Sequence, residues 1–71
     1  MTREFIRLNT FNIRQLRIWG WTETPRYEYK LDRTTEGVRL LRRNKNWNDE
    51  YWTKVVMPHK YRAFFPEVKF I

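Results

Sequence analysis

The sequence predicts a small α+β fold: an N-terminal amphipathic helix, a central two-stranded antiparallel hairpin, a short C-terminal helix and an extended aromatic tail. Three observations predict it. Apolar side chains recur at helical spacing over residues 1–21, with Gly20 as a stop. Tyr27, Tyr29 and Leu31 alternate with charged residues ahead of a loop that contains Gly37. Asn48-Asp49-Glu50 opens a segment that Pro58 closes. At 71 residues the chain has room for one domain.

On a helical wheel of about 100° per residue, Phe5, Leu8, Phe11, Leu16, Ile18 and Trp19 share one half. Arg3, Arg7, Arg14 and Arg17 cluster on the other half, and residues 1–21 form the basic amphipathic helix of this reading. Thr2 is a candidate N-cap and Gly20 a C-terminal stop. A strand over Phe11 to Ile18 competes, because Phe11 and Ile13 alternate with polar neighbours. Pro25 then holds Thr24 extended. Residues 26–42 read as a β-hairpin whose return strand is Val38 to Arg42.

Asn44 to Asn48 is a polar connector carrying Trp47. Residues 48–57 read as a helix with Asn48 as N-cap and two acids at its positive end. Trp47 and Trp52 fall at the two staple positions around that cap. Residues 58–71 form an extended tail bearing Tyr61, Phe64, Phe65 and Phe70, with a short terminal strand permitted at Val68 to Phe70.

The composition narrows the chemistry. There is no Cys and no Ser, so disulfides, thiolate metal sites and both common nucleophiles are absent. His59 is the one histidine, with no acid within three residues of it, so no metal site and no cofactor are expected. Two glycines make no phosphate-cradling loop. A pocket enclosing a small-molecule substrate is hard to build at this size, and the chain is expected not to be an enzyme. The longest stretch without a charge, Leu8 to Ile13, is far short of a transmembrane span. Aromatics make up 18% of the residues. They form either a compact aromatic core or a set of docking side chains, with Trp19, Trp21, Trp47, Tyr61, Phe64, Phe65 and Phe70 the candidates for docking on a partner.

The net charge of +7 is unevenly placed. Residues 1–21 carry +3 and residues 37–48 carry +4, while the rest sums to zero. Arg outnumbers Lys ten to five, and a guanidinium grips phosphate with two bonds and stacks on bases. Arg39, Arg42, Arg43 and Lys45, interleaved with Trp47, therefore read as a nucleic-acid-binding block, and Arg3, Arg7, Arg14 and Arg17 as a second one. The plain alternatives are a charged strand edge and a solvated helix face.

The first 22 residues are also Arg-rich, acid-poor and amphipathic, as mitochondrial import sequences are, although they lack Ser. The absence of Cys and of a secretory leader fits an intracellular or organellar protein. In composition the chain is similar to small accessory subunits of large assemblies, such as mitochondrial ribosomal proteins and supernumerary respiratory-complex subunits. The leading expectation is a structural subunit of a ribonucleoprotein, in the mitochondrial ribosome, binding RNA and neighbouring proteins. One alternative is an accessory subunit of a respiratory or ATP-synthase complex facing acidic proteins or an anionic lipid surface. The other is a small phage-type DNA-binding regulator.

Overall fold

A computed structural model describes residues 6–47 and 51–71 of the chain. The chain is α+β. Helix α1 (Thr10–Trp19) leads into strand β1 (Trp21–Glu23), followed by β2 (Tyr27–Arg33) and β3 (Val38–Asn44). A 3-10 turn (Lys45–Trp47), strand β4 (Thr53–Val55) and helix α2 (His59–Arg62) complete it. The strands form one antiparallel sheet in the order β1-β2-β3-β4.

The expected hairpin is therefore the centre of a four-stranded sheet rather than a two-stranded unit. Its register places Tyr29 opposite Arg42, Leu31 opposite Leu40 and Arg33 opposite Val38. Directly opposed residues share a face, so Tyr29, Leu40, Val38 and Thr22 point inward and Trp21, Lys30, Asp32, Arg39, Leu41 and Arg43 point outward.

The N-terminal helix is shorter than expected. It begins at Thr10, not near residue 1, because Asn9 and Asn12 form a reciprocal capping box. The Asn12 amide N–H donates to Asn9 Oδ1 at 2.8 Å, and the Asn9 N–H donates to Asn12 Oδ1 at 3.2 Å. Upstream of the cap, Ile6 and Leu8 are buried on either side of exposed Arg7, the period-two pattern of extended chain. Thr2, the expected cap, lies outside the described residues. Gly20 ends the helix in the left-handed region at φ 73°, and its N–H donates to the Leu16 carbonyl at 2.9 Å.

Among the described residues of the segment 48–57, which are 51–57, the expected helix is not present. The described part of that segment pairs as β4 on the edge of β3, with Val55 opposite Leu40 and Thr53 opposite Arg42. Thr53, Val55 and Val56 are β-branched, and β3 offers an unoccupied edge for them. The proposed Asn48 cap and the acids after it lie outside the described residues. The tail is not fully extended either: Pro58 starts the single turn of α2, and the carbonyl of Pro58 accepts from Tyr61 and Arg62. The chain end then runs parallel to the start of β3. The Val38 N–H donates to the Lys69 carbonyl at 2.8 Å, and the Ile71 N–H donates to the Val38 carbonyl at 3.0 Å.

The core joins these pieces on the inner face of the sheet. α1 supplies Ile13 and Leu16, the sheet Tyr29 and Leu40, and the C-terminal segment Met57, Tyr61 and Phe65. Full burial of each such side chain stabilises the fold by about 1.5–3 kcal/mol. Phe70 packs edge-on to Phe65 with ring centroids 5.7 Å apart. The hydroxyl of Tyr61 accepts the Leu8 N–H at 2.9 Å, tying the tail to the segment ahead of α1.

Candidate nucleic-acid interface

The two expected cationic blocks fare differently. In the hairpin block, Arg39 lies opposite Asp32 and makes an ion pair with it, its Nε donating to Asp32 Oδ2 at 3.0 Å. Arg43 lies opposite Glu28 and bonds it at 3.1 Å. Lys45 bonds Glu23 at 3.0 Å. Arg42 is on the inner face, 5% exposed, with its guanidinium 4.2 Å from the centre of the Tyr27 ring. Strand alternation explains this: a run of Arg-Leu-Leu-Arg-Arg sends Arg39 and Arg43 outward and Arg42 inward. Opposite-charge pairs directly across strands add register specificity to the sheet.

The outer face also carries Trp52. Its indole lies between the Lys30 ammonium at 4.4 Å and the Arg43 guanidinium at 4.6 Å. Each such contact contributes about 0.5–1 kcal/mol at an exposed site. These cations hold the sheet face together as much as they advertise charge.

In the helical block, Arg3 lies outside the described residues. Arg7, Arg14 and Arg17 are exposed. Arg17 approaches Glu67 at 3.7 Å with both side chains about half exposed, which is weak pairing. Arg7 and Arg14 have no acidic partner among the described residues.

The aromatics also divide. Tyr61 and Phe65 are core residues, and Phe70 is half-buried against Phe65. All three rings pack within the domain. Phe64 and Trp19 are exposed, Trp19 at 76%, and Trp21 is 38% exposed. The side chain of Trp47 lies outside the described residues. Sequence reasoning missed Phe11, which is 66% exposed although it shares the apolar half of the wheel. The signal was the Asn9-x-x-Asn12 spacing. A helix capped there buries residues 12, 13 and 16 and turns Phe11, Arg14 and Ile18 outward.

The structure thus gathers Phe11, Arg14, Arg17 and Ile18 on the outer side of α1, with Arg7 just before it, Trp19 as its last residue and Trp21 just after. Between α1 and the edge strand β1 lies an open groove of about 590 Å³, lined among others by Arg7, Phe11, Gln15 and Trp21. Its floor is a buried polar network. The Asn12 side-chain amide donates to Thr22 Oγ1 at 2.9 Å and to the Glu23 carbonyl at 3.0 Å, and the Thr22 hydroxyl donates to Gln15 Oε1.

Among the described residues no three His, Cys, Asp or Glu side chains gather as metal ligands, and no helix is long and apolar enough to cross a membrane. Comparison with protein-family models, with curated proteins and with solved structures finds no match for this chain.

Proposed function

We propose that this protein is a non-catalytic subunit of a ribonucleoprotein that binds RNA through the outer side of α1 and docks neighbouring proteins with its exposed apolar side chains. The observation that carries the reading is the combination on one surface of Arg7 and Arg14, which have no acidic partner among the described residues, with exposed Phe11, Trp19 and Trp21. Cations that are not neutralised within the fold are available to phosphates, and rings beside them offer stacking surfaces. The net charge of +7 supports the same reading by steering a polyanion toward the chain. Ile18 and Val56, both exposed, suit a protein neighbour better than solvent.

The test is binding of a structured RNA by the full chain, followed by fluorescence anisotropy from low to physiological salt. Affinity falls steeply with salt if phosphates are neutralised. Binding that ignores salt, or none at all, overturns the proposal. Affinity purification with and without RNase extends the test to the cell. Ribosomal or other RNA-bound proteins that disappear after RNase support it, whereas a membrane complex that persists selects an accessory subunit instead.

A further inference from the structure

We infer that the groove between α1 and β1 takes an unpaired base of single-stranded RNA, stacked against Phe11 and Trp21 with its phosphate held by Arg7. This rests on the RNA-binding reading and adds which form of RNA is bound and where.

Three features of the groove point to this ligand. First, its two walls each present an aromatic ring to solvent, Phe11 from α1 and Trp21 from β1. A duplex keeps its bases stacked on one another and shows no ring face to such walls, whereas a single strand does. Second, the floor is fixed in advance. Asn12 is buried and bonded to Thr22 and to the Glu23 carbonyl while also capping α1, so binding does not have to order it. Gln15 uses its Oε1 to accept from Thr22, and its amide N–H groups have no acceptor among the described residues. They are donors for a base carbonyl. Third, the charge at the mouth is positive. Arg7 lines the groove and Arg14 lies one helical turn beyond Phe11, both without an acidic partner among the described residues, while Glu23, the one carboxylate among the described lining residues, is bonded to Lys45. The open groove, of about 590 Å³, has room for a base.

The full chain is titrated with an eight-residue oligouridylate and, separately, with a blunt RNA duplex of equal phosphate count, reading tryptophan fluorescence and anisotropy. The expected result is tighter binding of the single strand, with quenching that Trp21→Phe reduces while binding persists. Phe11→Ala weakens the single strand about tenfold or more, the scale of one lost base stack, with an unchanged salt slope. Phe11→Tyr restores affinity and Phe11→Leu does not. Because Phe11 is mostly exposed, these variants keep the wild-type melting temperature, which is checked in parallel.

If oligouridylate and duplex bind alike, or Phe11→Ala changes nothing, the base site is wrong and the RNA-binding reading stands. Displacement of the oligonucleotide by an equal charge of polyglutamate also overturns the base site, since only charge would then be recognised. If neither RNA binds, both readings fall.

Discussion

The Asn12 side chain ties the start of α1 to β1. It closes the capping box of α1, bonds Thr22 and bonds the backbone of Glu23, all while 6% exposed. Asn12→Ala leaves the Asn9 N–H and the Thr22 hydroxyl short of partners. It is expected to destabilise the fold by about 2 kcal/mol, a fall in melting temperature of roughly 10 °C. The two glycines make a sharper comparison. Gly20 has φ 73° and open space where a Cβ would go, so Gly20→Ala carries only the left-handed backbone penalty of about 1–2 kcal/mol. Gly37 has φ 152°, and a Cβ there would sit 2.7 Å from the Lys69 carbonyl oxygen and 2.8 Å from the Ile71 side chain. Gly37→Ala is therefore the more damaging substitution, by urea or thermal melting, because the chain end must also shift. Equal losses would mean that residues 69–71 do not press on the hairpin turn.

At the scale of elements, the hairpin was legible because Tyr27, Tyr29 and Leu31 alternate with charges over a full strand and Gly37 sits in the loop. The end of α1 was legible for the same kind of reason, since Gly20 alone there adopts the left-handed region readily. Its start was not, because a wheel drawn from residue 1 averages an extended segment into a helix and hides the Asn9 cap. β4 was illegible for a different reason. Three residues carry too little local signal, and their conformation is decided by the edge of β3, a partner distant in sequence. The same long-range pairing decides the candidate site: Arg39 and Arg43 look available in the sequence until Asp32 and Glu28 are placed opposite them. Packing of Ile13 and Leu16 on the sheet accounts for the apolar side of α1. The chain end is an element too. Ending the chain after Val68 removes both backbone bonds to Val38 and the Phe65–Phe70 contact. Hydrogen exchange should then quicken at the Val38 amide well before the amides of central β2 respond. Uniform quickening would mean that the tail is part of one cooperative unit.

For the molecule as a whole, the fold separates its cations by use. Arg39 and Arg43 are matched with acids and Arg42 and Lys30 are set against rings, while Arg7, Arg14 and Arg17 around α1 stand near exposed aromatics. A chain of this size buries a modest share of its surface, so its remaining exposed rings are a considerable fraction of its apolar content. Their presence next to arginines with no acidic partner among the described residues is the feature on which the proposed binding face rests. The most direct measurement is the salt dependence of RNA binding by charge variants of the full chain. Each phosphate contact removed lowers the slope of log K against log salt by about 0.7–0.9. Arg7→Gln combined with Arg14→Gln should lower the slope by close to two contacts, while Arg39→Gln combined with Arg43→Gln leaves it unchanged. A slope that falls with the hairpin pair and ignores the α1 pair would contradict this account.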